Sequence, residues 1–327
     1  MNKINFFIIL FSFYNLLIYA EVEPSFFSNL LGNVRKEVIN TALVNIPNKQ
    51  NMNILQMCNT LVKTKEKYSL NDAESAFFAY KWITENIDFD WNQKNRNTAV
   101  IYDSGKADSD GISALFSLFC SYFNIESKSI TGYIKLGKYQ NFEELITKTS
   151  FTWNYIKINS NYYLVDVSLG KGYFENGEFN LEYSDLFFAT KPEIFIHYHY
   201  PNEIKWQLLS KSYTINQFDS IPLLFSQFYT YGFKTFSPNY KEIKGTGQIT
   251  ITLTYDPKYT VVKPSFYLIN SSFRQVTDIN VKTYVYEGKL EFVLTKNNKK
   301  TLYLFIVASK SEYLYPQPLI IYKLSGN

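Results

Sequence analysis

The chain has 327 residues, of which 28 are tyrosine and 28 are phenylalanine, while glycine (13) and proline (10) are few. This composition excludes a disordered or collagen-like chain and is sufficient for a large hydrophobic core. Basic residues exceed acidic ones by only four, and the charges are spread along the chain, which gives no indication of a nucleic-acid or anionic-membrane partner.

The first twenty residues have the order of a secretory signal peptide. Lys3 is followed by an apolar stretch that ends at Ala20, a small residue before the acidic Glu21. We expect cleavage after Ala20 and a secreted or extracellular protein. An uncleaved membrane anchor is the alternative, because apolar runs of this length are ambiguous. No later segment is apolar for long enough to cross a bilayer, so we expect no membrane span in the mature chain.

Two cysteines are present, Cys58 and Cys120, which is too few for a disulfide framework in a chain of this length. Both lie on apolar stretches with helical spacing, so one bridge and two packed thiols are equally compatible with the sequence. Asn270-Ser271-Ser272 is a glycosylation sequon that a secreted chain could use.

Three early segments have the apolar spacing of helices. The first covers residues 51–67. The second starts after Asn71, a good N-cap, with Glu74 three residues further on as a capping box requires. The third runs from about residue 110 to residue 123 and is apolar nearly all round, which predicts that it is buried.

Alternating apolar residues then predict strands. They cover residues 128–134, 152–158 and 162–167, and Asn159-Ser160-Asn161 is the expected turn between the last two. Helices followed by an antiparallel hairpin indicate an α+β domain in which the buried helix packs against the sheet.

The pattern changes again near residue 245. Short alternating runs separated by polar turns, with no helix between them, predict a β-sandwich of immunoglobulin-like kind. The predicted organisation is therefore a signal peptide over residues 1–20, an α+β domain over residues 21–244 and a sandwich over residues 245–327.

Five separated segments, residues 77–90, 104–111, 132–133, 153–154 and 162–168, occur in an order that resembles the transglutaminase-like superfamily. Residues 191–201 and 206–209 look like the branch of that family that contains the kyphoscoliosis peptidase and the transglutaminase-like cytokinesis proteins. The resemblance covers roughly residues 50–240, and the order of several segments is more specific than any single one. It implies a papain-like core.

The family's site consists of a cysteine nucleophile at a helix start, a histidine base on the following strands and an aspartate that orients the histidine. The resemblance assigns these positions to Ser109, Phe151 and Asp166. A serine beside a phenyl ring has neither the acidity nor the proton acceptor for acyl transfer. The sequence therefore predicts a degenerate, inactive triad. The alternative is a hydrolase that uses Ser109 with a non-standard base such as Lys106.

Other roles are expected for these positions once catalysis is set aside. Ser109 is expected to cap the buried helix, with Asp108 and Asp110 complementing the helix dipole. Asp166 lacks an imidazole partner from position 151, so we expect it to bond a backbone amide, a hydroxyl, Trp153 or water, because an unpaired buried carboxylate is costly.

The remaining candidates concern metal and ligand binding. His197 and His199 lie in a segment whose counterpart in the family is a packing and turn element away from the triad, and without further ligands they predict neither a metal site nor a cofactor. We expect a cleft between the helix start and the sheet, lined by Trp153 and Asn154 and made apolar by Phe151, to bind a protein or peptide. A structural role in an extracellular coat is a further hypothesis.

Overall fold

The computed structural model describes residues 22–47, 49–135, 150–175, 178–258, 264–272, 274–277, 279–297, 299–309 and 317–326. The predicted signal peptide lies outside the described residues. Within them, no helix combines the length and the hydrophobicity needed to cross a bilayer.

In the described part of the chain the α-helices are α1 Lys36–Val44, α2 Ile54–Lys67, α3 Asp72–Asn86, α4 Thr98–Ser104, α5 Ser109–Tyr122, α6 Val167–Lys171, α7 Pro192–Phe195, α8 Ile215–Ser220 and α9 Ser226–Thr230. The helices α2, α3 and α5 are those predicted from apolar spacing. The predicted capping box of α3 is confirmed, since the side chains of Asn71 and Glu74 each accept the other residue's backbone N–H at 3.0 Å.

The strands of the first domain are β1 Asp88–Phe89, β2 Lys106–Ala107, β3 Glu126–Ile134, β4 Phe151–Ile158, β5 Asn161–Val165, β6 Gly172–Glu175, β7 Glu178–Leu181, β8 Phe188–Thr190 and β9 His199–Pro201. An antiparallel sheet has the order β8-β5-β4-β3-β9. Helix α5 packs against β3 and β4, as the predicted α+β arrangement requires. The strand predicted to reach residue 167 ends at Val165, because Asp166 caps α6 instead.

The sandwich contains strands β10 Leu223–Leu224, β11 Phe233–Ser237, β12 Glu242–Lys244, β13 Gly247–Tyr255, β14 Pro264–Asn270, β15 Gln275–Val276, β16 Val281–Tyr286, β17 Lys289–Lys296, β18 Leu302–Ala308 and β19 Gln317–Ser325. One sheet has the order β11-β13-β17-β16, the other has the order β10-β19-β18-β14-β15, and β12 pairs with β19. Because β10, β11 and β12 pair with sandwich strands, the sandwich begins before the predicted boundary at residue 245.

Candidate functional site

Helix α5 begins at Ser109, the position that the resemblance assigns to the nucleophile. Asp108 caps the helix, since its Oδ1 accepts the N–H of Gly111 at 3.1 Å. The expectation that Ser109 is the cap is therefore wrong. Its hydroxyl instead accepts the backbone N–H of Thr152 at 3.2 Å. Thr152 follows Phe151 on β4, so the nucleophile and base positions lie side by side, as the resemblance implies.

Charged side chains surround the start of α5. Arg96 donates to Asp108 at 2.8 and 3.2 Å and also bonds Asp110. Lys94 adds an ion pair with Asp108 at 3.3 Å, and the hydroxyl of Thr152 donates to Asp110. Arg96 and Lys94 thus balance the charges of Asp108 and Asp110 beside the first turn of α5.

Five aromatic side chains, which we call the aromatic cluster, fill the space around the base position. Phe151 is fully buried, and its ring centroid lies 6.1, 5.8 and 6.3 Å from those of Phe89, Trp91 and Phe174. Phe179 packs against Phe89 at 4.8 Å and against Phe174 at 5.0 Å. Phe174 and Phe179 both come from the β6–β7 hairpin, which therefore covers this position.

Asp166 bonds a histidine that the sequence interpretation placed away from the triad. Nε2 of His199 lies 2.7 Å from Oδ2 of Asp166, and neither side chain is exposed. The other carboxylate oxygen accepts the N–H of Leu169 at 3.0 Å and caps α6. The expectation of a backbone-amide donor is confirmed. The placement of His199 away from Asp166 is wrong, because β9 joins the sheet beside β3 and directs His199 into the core.

The surroundings of His199 are apolar. Its ring stacks on Phe195 with centroids 3.8 Å apart and lies 4.8 Å from the ring of Trp153. Burial lowers the pKa of His199, although the hydrogen bond to Asp166 acts in the opposite direction. A neutral imidazole that donates from Nε2 to the carboxylate satisfies both observations. The pair is thus a buried structural contact that exposes no base to a substrate.

Trp153 and Asn154 do not line an open cleft, and this prediction is corrected by their burial. Each is only 1% exposed. Nδ2 of Asn154 donates to the carbonyl of Ser113 at 3.2 Å and to the hydroxyl of Ser117 at 2.9 Å. Asn154 therefore attaches β4 to α5, which explains a polar residue on this buried strand.

Cys58 and Cys120 are buried free thiols. Burial raises the pKa of Cys58 to about 11 and raises that of Cys120 as well. The alternative of two packed thiols is therefore the one that the structure contains, and a raised pKa makes both thiols poor nucleophiles.

The other predicted positions are found on the surface or at turns. Lys106, the suggested alternative base, is exposed. Asn270 ends β14, and its Oδ1 accepts the N–H groups of Ser272 at 2.9 Å and Arg274 at 3.0 Å. Glycosylation of Asn270 stays a prediction. Among the described residues, no group of three or more His, Cys, Asp or Glu side chains is placed to hold a metal ion.

Comparison with known proteins gives four curated relatives of moderate identity, two of which are described here, whereas no model of a known protein family matches the chain. Kyphoscoliosis peptidase of Mus musculus is 27% identical over 204 residues, which cover 60% of this chain and 31% of that protein. Lim and transglutaminase domain protein ltd-1 of Caenorhabditis elegans is 25% identical over 297 residues, which cover 79% of this chain and 40% of that protein. The chain thus spans less than half the length of these relatives.

A solved structure described as a transglutaminase aligns with 42% of this chain and 34% of its own, at 14% identity and a TM-score of 0.24. A likeness of this size carries no weight by itself, whereas the names of the two relatives match the family that the order of segments resembles. The chain is therefore similar to transglutaminase-like proteins of the branch that includes kyphoscoliosis peptidase, and it consists of an α+β core followed by an immunoglobulin-like sandwich.

Proposed function

We propose that this chain is a transglutaminase-like protein without acyl-transfer activity, which acts outside the cell by binding another protein. The observation that carries this proposal is that a buried phenylalanine occupies position 151. A buried phenyl ring inside the aromatic cluster stands where a base must accept the nucleophile's proton, and phenylalanine has no atom that can do so.

The contacts of Ser109 support the same conclusion. Its hydroxyl accepts a hydrogen bond from the Thr152 amide, and no contact with a base is described for it, whereas an activated serine must donate its proton to an adjacent base. The chain has two histidines. His199 bonds Asp166 and His197 bonds the hydroxyl of Tyr229, so both imidazoles are already engaged.

The alternative of a hydrolase with a relocated base has less support. Lys106 is exposed on β2, and a lysine acts as a base only when burial or neighbouring charges suppress its ammonium form. No described contact joins Ser109 to a lysine or a histidine. A binding role needs none of this chemistry, and the secretory order of residues 1–20 supports a location outside the cell.

The catalytic half of the proposal is tested with the purified chain. Amine incorporation into glutamine-containing peptides and peptide hydrolysis are measured for the wild-type chain and for Ser109→Ala. We expect no turnover above the uncatalysed background for either protein. Turnover that disappears in Ser109→Ala would establish a serine-dependent enzyme and overturn the proposal.

The binding half is tested in cells that secrete the chain from its own N-terminus. We expect the protein in the medium or at the cell surface, and cross-linked to the same partner for the wild-type chain and for Ser109→Ala, because binding needs no nucleophile. A chain that stays inside the cell contradicts the proposed location. A secreted protein that remains an uncomplexed monomer contradicts the binding role.

A further inference from the structure

A cavity of about 370 Å³ lies away from the triad positions, where the first domain meets strand β11 of the sandwich and the residues that follow it. Its wall includes none of the aromatic cluster. The residues that matter for recognition are His197, Lys211, Tyr213, Phe236, Asn239 and Tyr240. Sites for small ligands occur preferentially at such junctions and have volumes of roughly 300–1,000 Å³.

His197 offers the cavity a hydrogen-bond donor. Its Nδ1 lies 2.5 Å from the hydroxyl of the buried Tyr229. Burial raises the pKa of Tyr229, so this hydroxyl keeps its proton and donates it. Burial, together with the nearby Lys135, lowers the pKa of His197 to about 3. The imidazole is therefore neutral with its proton on Nε2, the nitrogen on the ring edge that Tyr229 leaves free.

The cavity has a positive charge that no acid of its own offsets. Its lining contains no aspartate or glutamate. Lys211 is exposed at its edge and makes no bond to a described residue. Asp219, on the adjacent α8, has both oxygens bonded to Lys241 at 2.9 and 2.8 Å. A ligand with one negative charge would therefore find an unpaired cation and a neutral N–H donor in the same cavity.

The remaining wall is aromatic and partly fixed in position. Phe236 packs edge-on against His197 with centroids 5.4 Å apart, and Tyr240 remains 47% exposed. Gln207 holds the backbone of Tyr213 from both sides, accepting its N–H at 2.7 Å and donating to its carbonyl at 2.9 Å. Residues that are already fixed in position lose less conformational entropy when a ligand binds.

We propose that this cavity binds a carboxylate attached to an aromatic body, with Lys211 and the Nε2–H of His197 holding the carboxylate and Tyr213, Phe236 and Tyr240 holding the ring. A free aromatic acid and the C-terminal residue of a peptide share this chemistry. The proposal goes beyond the proposed function, because it concerns a different site and holds whether or not Ser109 is catalytic.

The two histidines of the chain allow a direct test by nuclear magnetic resonance. The full mature chain, labelled with ¹³C at histidine, is titrated with N-acetylphenylalanine up to about 10 mM, a range that covers the millimolar dissociation constants expected of so small a ligand. We expect a saturable shift of the Cε1–H signal of His197. The His199 signal, from the buried pair with Asp166, serves as the internal control and should not move.

Matched ligands and variants separate this site from non-specific binding. N-acetylphenylalaninamide lacks the carboxylate and should leave His197 unshifted. Lys211→Met should weaken binding at least tenfold, whereas Lys205→Met, an exposed lysine outside the cavity that pairs with Glu203 at 2.7 Å, should leave it unchanged. Equal shifts with acid and amide, equal affinities of the two variants, or no saturable shift would overturn the proposal.

The source of the carboxylate is resolved by a second pair of ligands. A short peptide that ends in phenylalanine is compared with the same peptide amidated at its C-terminus. Binding of the free-acid peptide as tightly as N-acetylphenylalanine supports recognition of a peptide terminus. Binding of N-acetylphenylalanine alone supports a free aromatic acid, and in both cases the carboxylate site stands.

Discussion

Asp166 shows how a charged side chain is accommodated in the core when phenylalanine replaces the family's histidine at position 151. Its two oxygens have different partners, the backbone N–H of Leu169 at 3.0 Å and Nε2 of His199 at 2.7 Å. A buried carboxylate without donors costs several kcal/mol, so these two bonds explain its complete burial. Because one oxygen bonds Leu169 and the other bonds His199, both are engaged by residues other than the one at position 151.

Replacing His199 by phenylalanine should destabilise the fold strongly. His199→Phe keeps the ring shape but leaves the Asp166 carboxylate with one donor fewer in a buried site. Removing one member of a buried pair costs about 3–5 kcal/mol, which urea denaturation would measure as a lower free energy of unfolding. The double variant His199→Phe, Asp166→Asn should recover much of the loss, since asparagine carries no charge and still caps α6. A double variant as unstable as the single one would contradict this explanation.

The histidines also predict how stability depends on pH. The pKa of His199 is lowered by burial, and that of His197 is lowered to about 3 by burial and Lys135. Below the ordinary histidine pKa of about 6.5, the unfolded chain takes up protons that the folded chain does not, so stability falls as pH falls. For His199 alone, the expected loss from about pH 7.5 to about pH 5.5 is up to about 1.4 kcal/mol.

Urea denaturation at a series of pH values measures this dependence. Part of it should be absent from the His199→Phe, Asp166→Asn variant, which retains only the titration of His197. A free energy of unfolding that is flat or that rises between pH 7.5 and 5.5 would contradict the assignment of neutral imidazoles in the folded chain.

Restoring the family residues at the two substituted positions should not restore a reactive thiol. In Ser109→Cys, Phe151→His the new imidazole would lie within the aromatic cluster, and Asp166 would still bond His199. We expect the rate of alkylation by iodoacetamide at neutral pH to stay within about threefold of that of Ser109→Cys alone, since neither orientation nor activation of the new base is provided. A tenfold or larger gain would show that the site remains competent.

At the scale of elements, α3 depends on a buried acid at its first turn. The carboxylate of Glu74 accepts the backbone N–H of Asn71 at 3.0 Å and bonds the guanidinium of Arg35 at 2.6 Å. The hydrogen bonds from Arg35 lower the pKa of Glu74, although burial opposes this shift. Since Arg35 directly precedes α1, this contact attaches the first helix to the third.

Glu74→Gln should therefore cost more than an ordinary surface substitution. Loss of charge-assisted bonds at a buried site reduces the free energy of unfolding by about 1.5–3 kcal/mol. Glu85→Gln, on the same helix, removes only a half-exposed pair with Lys81 at 3.8 Å, and such pairs contribute at most about 1 kcal/mol. Urea denaturation of the two variants provides the comparison, and equal losses would contradict the role assigned to Glu74.

Elements with a complete local pattern could be predicted from the sequence, and elements defined by distant contacts could not. The helices α2, α3 and α5 and the β4–β5 hairpin have apolar periodicity, caps and turn residues within a few positions. Helix α6 could not be predicted, because the strand-like apolar run from Tyr162 to Val165 resumes at Val167, which gives no sign that Asp166 caps a helix. Strand β9 is only three residues long, and it is defined by its pairing with β3.

The candidate site also has features that could be predicted from the sequence and features that could not. The adjacency of Ser109 and Phe151 followed from the order of family-like segments. The aromatic cluster did not, because Phe89 and Phe174 are separated by 85 positions in the chain and meet only after the β6–β7 hairpin folds back over β1 and β4. The His199 contact with Asp166 is equally long-range, so local periodicity could not distinguish it from ordinary packing.

At the scale of the whole molecule, the hydrophobic core continues from the helices into the sandwich. Phe228 on α9 packs against Phe233 and Phe236 of β11, with centroids 5.3 and 5.7 Å apart. The hydroxyl of Tyr198 donates across the same region to the carbonyl of Phe225 at 3.0 Å. Domains that share a continuous apolar interface unfold together, whereas domains joined by a small polar interface unfold separately.

We therefore expect a single calorimetric transition for the chain, in spite of its two architectures. Phe228→Ala tests whether the two parts unfold together. The cavity left by a buried phenylalanine costs about 3–5 kcal/mol. If the parts are coupled, this cost lowers the midpoint temperature of the single transition. Tyr284→Ser, at a 41% exposed position on β16, is the matched control and should change stability by no more than about 0.5 kcal/mol. Two transitions in the wild-type chain, with Phe228→Ala moving only one of them, would show that the sandwich and the first domain are independent units joined by contact rather than by a common core.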